Sequence, residues 1–348
     1  MEIVMKLSQA KNIVMASIDS QIQHATGRDA QRVIPYLIGG AGLGKTSIVQ
    51  QIAEEREHGC YILSLAQYDA AELAGIIALV DGEAKRIMPH WLAKITEMAS
   101  KMEAVYLFGD EVVQSPVSNQ NVWAQVVNER RIGEFKLPDN VAIVAAGNRT
   151  SDRAGTNTMP THLRDRLMFL EVEADLETTI AYMVAHGIHE DVTGFLRGFP
   201  QALHEFDRDA NASPSPRSWD RVATILDWGL DPVCEAEAIS GQVGRARCAD
   251  FLGYRKLKAN MPDLDRIVSN PDSADIPRDA MVLYALSAGL AHKMNQSNAG
   301  NIIKYLKRLD QQEFAAFAVK DAVNRDPELK KSEAVRQWII TDGKELIL

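Results

Sequence analysis

Residues Gly39 to Thr46 read GGAGLGKT, a match to the pattern G-x-x-x-x-G-K-[ST]. Glycines at that spacing let successive backbone N–H groups turn inward around an anion, and a helix starting at once afterwards adds the partial positive charge of its N-terminus. The chemistry is that of a phosphate cradle. Lys45 would reach the β- and γ-phosphates of a nucleoside triphosphate, and the Thr46 hydroxyl would bind Mg²⁺. The expected nucleotide-binding stretch comprises Gly39, Gly40, Ala41, Gly42, Leu43, Gly44, Lys45, Thr46 and Ser47.

A second cluster lies in AVYLFGDEV, where an apolar run ends in Asp110 followed by Glu111. Two carboxylates at a strand end are costly without a cation, so Asp110 is expected to complete the Mg²⁺ site while Glu111 polarises a water for in-line attack. A solvated acidic turn is the plain alternative for the pair taken alone. Glu111 favours hydrolysis over transfer to a substrate hydroxyl. The chain lacks the guanine-reading N-K-x-D, and its only transporter-like S-G-Q, at Ser240 to Gln242, follows the acidic strand instead of preceding it. In VAIVAAGNR, Asn148 stands at the end of another apolar run, where its amide could orient the attacking water or merely form a turn after Gly147.

The elements that must hold these residues can be read from periodicity. Val14, Ile18 and Ile22 mark a helix over residues 7 to 24. The run Val33 to Ile38 delivers the chain into the glycine loop, and Ile48, Val49 and Ile52 form the stripe of the helix after it. Further strand-length runs at Tyr61 to Leu65, Ala104 to Phe108, Val141 to Ala146 and Met168 to Val172 alternate with helical patterns. That alternation predicts an α/β domain, a parallel sheet with helices on both faces, over residues 1 to 174. Within it, GIIALVDGEAKRIM predicts a β-hairpin insert at about 74 to 90, turning on Asp81-Gly82, with an irregular loop as the alternative. Helical periodicity dominates from Asp175, as at Trp219, Val222, Ala223 and Leu226. An all-helical lid over 175 to 270 and a helical C-terminal extension over 271 to 348 are expected, punctuated by Asn270-Pro271-Asp272 and Ile276-Pro277.

Bulk properties narrow the classes. The 348 residues suit about two or three compact domains, and 46% hydrophobic with 24% charged residues is ordinary for a globular chain. No apolar run is long enough to span a bilayer, and the N-terminus lacks secretory features. Cys60, Cys234 and Cys248 are odd in number and scattered, which argues against disulfides or zinc and predicts a reducing, cytoplasmic location. A net charge of −9 makes general affinity for nucleic-acid backbone unfavourable; Lys304, Lys307 and Arg308 are one candidate basic strip, with a solvated helix face as the alternative. His186, His189 and Glu190 lack a second ligand pair and read as a surface turn, and Trp91, Trp219, Trp228 and Trp338 as packing residues.

Assembled, the motifs resemble the AAA+ ATPases, and within them the MoxR-like and dynein-related clade. GGAGLGKT resembles Walker A, LFGDE Walker B and VAAGN the sensor-1 strand; NERRIGEFKLPDNVAIVAAGNR reads as continuous family sequence. MPTHLRDRL resembles the arginine-finger stretch, which gives that role to Arg166, with Arg164 as the alternative; the usual Phe after the finger is Leu167 here. SPSPRSW resembles the sensor-2 motif and gives that role to Arg217, acting within its own subunit or on a neighbour's nucleotide. Pro216 suits a first helical turn, so Arg217 meets the positive end of a helix dipole and needs an anion, either a phosphate or Asp220. The resemblance covers residues 30 to 255. It implies ATP and Mg²⁺ as ligands, a homo-oligomeric hexameric ring, and a protein client associated with a von Willebrand factor type A domain partner. The alternative is a motor or loader acting on nucleic acid.

Overall fold

Five of the strands are near-continuous apolar runs, and burial on both faces is what such runs require. In the computed structural model, which describes residues 5–23, 32–149, 157–207, 210–258 and 261–343, all seven residues of β9 (Val141–Gly147) are buried, as are the first five of β6 (Val105–Asp110). They join β1 (Met5–Lys6), β2 (Ile34–Ile38), β3 (Gly59–Ser64) and β10 (Leu167–Glu173) in one parallel sheet of order β1-β10-β2-β9-β6-β3. All five expected runs are strands of this sheet. The two-residue β1 is too short to carry a periodic signal; it pairs Met5 with Val172 and Lys6 with Glu173.

One face of the sheet is covered by α1 (Leu7–Gln23) and α2 (Lys45–Glu55), which place Val14, Ile18, Ile48, Val49 and Ile52 against Leu37, Phe108 and Val144. Residue 24, the last of the expected first helix, lies outside the described residues. The opposite face takes α4 (His90–Ala99) and α5 (Val117–Glu129), whose Trp91, Ile95, Trp123 and Val127 pack with Tyr36, Leu107 and Ile143. Short helices α3 (Ala70–Ala74) and α6 (Thr161–Arg164) complete this unit.

Two hairpins stand apart from the sheet. β4 (Ile77–Val80) pairs antiparallel with β5 (Glu83–Arg86), and Asp81 and Gly82 both take positive φ, 55° and 81°, as a tight turn demands. β7 (Arg131–Ile132) and β8 (Phe135–Lys136) form a second, smaller one.

α1 also does a strand's work. β2 pairs with β9 only from Ala145 onward, which leaves the main chain of Ile143 unpaired on that side. The buried Gln21 amide closes the gap: its Nε2 donates to the Ile143 carbonyl at 2.9 Å, and the Ile143 N–H donates to its Oε1 at 2.8 Å. Ser17 donates to the Val33 carbonyl at 2.7 Å beside it. Buried backbone groups without such partners are costly, so the polar pair satisfies the sheet where no strand reaches.

The chain divides into two compact units, Met1–Glu173 and Ala174–Leu348. No strand occurs among the described residues of the second. Its first core gathers α7 (Leu176–Ala185), α8 (Glu190–Gly198), α9 (Pro216–Leu226) and α10 (Pro232–Lys258, broken at Gly244 with φ 78°) around Phe195, Trp219 and Phe251. A second core, around Leu286, Phe314 and Trp338, gathers α11 (Leu264–Ser269), α12 (Ala280–Lys293), α13 (Ala299–Leu306), α14 (Gln312–Arg325) and α15 (Glu333–Thr341). Residues 344 to 348, the end of the expected helical extension, lie outside the described residues. Arg197 of α8 and Asp321 of α14 form a fully buried ion pair, with Arg197 also 4.5 Å from the Phe317 ring centroid. Burial pushes the Asp321 carboxyl up to about 6 even though Arg197 pulls the other way. No helix of the described residues is long and apolar enough to cross a membrane.

Candidate nucleotide site

At the C-terminal end of β2, between β9 and β10, the chain enters the glycine loop. Ligands of open α/β sheets bind in the crevice at such a switch point. The glycines are needed for different reasons. A Cβ at Gly39 would fall 2.7 Å from the Val172 carbonyl oxygen, whereas Gly42 and Gly44 take φ of 77° and 88°. Gly44 is the N-cap of α2 and offers no side-chain acceptor, so the cap leaves the first-turn N–H groups of the helix to another acceptor.

Lys45 opens α2 and is buried. Its ammonium donates to the carbonyls of Gly39 and Gly40, each at 2.8 Å, and to Asn148 Oδ1 at 3.1 Å. The loop and the end of β9 therefore converge on one cation. Thr46 Oγ1 donates to Asp110 Oδ2 at 2.8 Å, and the other carboxylate oxygen accepts the Glu111 N–H at 2.9 Å. Because β6 and β2 flank β9, the hydroxyl of one end and the carboxylate of another meet across the crevice.

Glu111 adopts φ 56° and ψ 35°, a left-handed conformation that costs roughly 1–2 kcal/mol in a residue with a Cβ. Such strain, where it is observed, clusters at functional positions. Ser64, at the end of the neighbouring β3, donates to Glu111 Oε2 at 2.7 Å. Ser64 is not singled out in the sequence, because only the pairing of β3 with β6, which sets Ser64 opposite Asp110, brings it to this edge. Beside Asn148, Arg149 is ion-paired with Glu171 of β10 at 2.7 Å.

Lys45, Thr46, Asp110, Glu111 and Asn148 thus share one edge of the sheet. Arg166 follows α6, is exposed, and is joined to none of them by a hydrogen bond or ion pair; Arg164 is also exposed and, among the described residues, reaches only the Met159 carbonyl, at 3.5 Å. Arg217 belongs to the second unit. It is exposed on the first turn of α9, after Pro216 and a reciprocal cap between Ser215 and Ser218. Among the described residues Arg217 forms no ion pair with Asp220.

The residues fit a Mg²⁺-bound nucleoside triphosphate. An uncapped helix start and a buried ammonium suit phosphates, and a hydroxyl touching a carboxylate supplies the oxygen donors that a hard cation prefers. Other clusters have structural duties. Lys304 pairs with Asp272, Lys307 with Asp342, and Arg308 bonds the Pro271 and Ala274 carbonyls. His186 lies on Tyr182, His189 caps α8 and Glu190 pairs with Lys258. No metal-holding cluster of His, Cys, Asp and Glu occurs among the described residues, and all three cysteines are free thiols. Trp91, Trp219 and Trp338 are buried, but Trp228 is 61% exposed.

The parallel sheet, the phosphate-type loop at the end of β2 and the helical second half define an α/β P-loop fold. No protein-family model matches the chain, and no curated protein matches it. Among solved structures it is similar to three mutants of Thermotoga maritima RuvB. The first shares 13% identity over 94% of this chain and 86% of that one, with a TM-score of 0.36. The second shares 14% over 96% and 88%, with a TM-score of 0.34, and the third 14% over 95% and 87%, with 0.38.

Proposed function

We propose that this chain is a Mg²⁺-dependent ATPase of the AAA+ type, cytoplasmic and MoxR-like, that closes into a homo-oligomeric, hexameric ring and spends hydrolysis on remodelling a protein partner. One observation carries the ATPase reading: the Thr46 hydroxyl and the Asp110 carboxylate meet at 2.8 Å beside the buried Lys45, with Glu111 next in sequence. A loop that only resembled the motif would have no reason to face a carboxylate pair across the sheet.

Each residue then has a task. Lys45, with the N–H groups of the loop, neutralises phosphate oxygens. Thr46 and Asp110 are the residues that would hold Mg²⁺, Asp110 through its water shell, and the ion would screen charge on the triphosphate. Glu111 takes up the proton of the attacking water, once its carboxylate is free of Ser64. Asn148 orients that water. Arg166, exposed and unpaired among the described residues, is suited to reach a neighbouring subunit's nucleotide, and an arginine supplied in trans contributes roughly 10³–10⁵ in rate. Arg217 takes the sensor-2 role that the motif resemblance implies, within its own subunit or on a neighbour's nucleotide.

The hairpin β4–β5 favours a protein client over nucleic acid. Its two cations are occupied: Lys85 pairs with Glu83 at 3.2 Å, and Arg86 donates to the Ala74 and Gly75 carbonyls. Its exposed residues include the apolar Ile77 at 67% and Leu79 at 80%, beside Asp81, Glu83 and Lys85 at the turn. Apolar projections fit a protein surface, whereas phosphate backbone needs free Lys and Arg. A von Willebrand factor type A domain protein is the partner class that the motif resemblance implies.

Glu111→Gln tests the reading. The variant should bind ATP, as measured with a fluorescent analogue, while turnover drops by about 10²–10⁴. Undiminished phosphate release would remove the catalytic assignment.

A further inference from the structure

Tyr36 lies in the middle of β2, two residues before the strand ends. Only 1% of it is exposed, yet among the described residues its hydroxyl has no hydrogen-bond partner. Buried hydroxyls are rarely left so, because the lost hydration is not repaid. The ring is held in place edge-on by Phe169, with centroids 5.3 Å apart. Its tip abuts Gly147: a Cβ there would fall 2.1 Å from the hydroxyl oxygen and 2.9 Å from Val113 Cγ2. Only glycine lets the hydroxyl stand at this place, one residue before Asn148. Burial, and then the Asp110 carboxylate, push the phenol far above its ordinary range, so it stays a protonated donor.

We propose that Tyr36 is a positioning residue of the triphosphate site, its hydroxyl donating in the hydrolytic state to a water held where β6 and β9 end. Those two ends carry Glu111 and Asn148, and a fixed donor beneath them restrains the water that both side chains address. The inference rests on the ATPase reading and extends it to a residue that no motif contains.

Tyr36→Phe separates this from a packing role, because the ring survives and only the oxygen is lost. In the full-length chain kcat should fall about 10-fold with KM for ATP within about twofold, as when an interaction made only in the transition state is removed. The melting temperature without nucleotide should hold or rise, since a buried unpaired group has gone. Unchanged kcat overturns the inference, as does a lower kcat accompanied by a melting temperature several degrees lower. If wild-type turnover is abolished by Glu111→Gln but untouched by Tyr36→Phe, the ATPase reading stands and this inference falls. A wild-type chain without turnover removes both.

Discussion

Gly39 and Gly147 illustrate how much of the proposed catalytic edge depends on side chains that are absent. At Gly39 an added methyl would meet both the Val172 carbonyl oxygen at 2.7 Å and Val172 Cγ2 at 2.9 Å, and backbone cannot step aside as a flexible side chain would. Gly39→Ala should therefore shift the loop away from β10, at an overpacking cost of about 1–3 kcal/mol. We expect ATP affinity to fall at least about 10-fold, read by titration calorimetry, together with a lower melting temperature. Glu111 shows the complementary case, a residue with a side chain held where glycine would be easier. The motif residues were legible because their types and spacing are fixed by phosphate chemistry. Ser64 and Tyr36 were not, because a serine ending a strand and a tyrosine within one are common, and only strand order brings them to this edge.

At the scale of elements, legibility follows burial. The five long strands stood out since both faces are covered and polar residues are excluded. β1 and the β7–β8 hairpin escape notice because two residues hold no period. The β4–β5 hairpin could be read from its turn dipeptide, but not the fact that its apolar residues face outward. That exposure argues for use by a partner. Leu79→Asp should leave unstimulated ATPase within about twofold and the melting temperature nearly unchanged, since surface changes usually stay within about 0.5 kcal/mol. Stimulation by a protein client should drop, and full stimulation of the variant would remove the hairpin from the contact.

At the scale of the whole molecule, the proposed ring makes hydrolysis a property of neighbours. Arg166→Ala and Glu111→Gln should each be inactive alone, while mixed assemblies regain a measurable fraction of activity by pairing an intact Glu111 with an intact Arg166. No recovery at any mixing ratio would place Arg166 outside the reaction. The same scale brings out a consequence of Gln21. Because its amide stands in for a missing strand on β9, the N-terminal helix cannot lift without stripping Ile143 of both main-chain bonds. Helix and strand are one mechanical body, and a molecule that grips the outer surface of the helix holds a handle whose far end is Asn148.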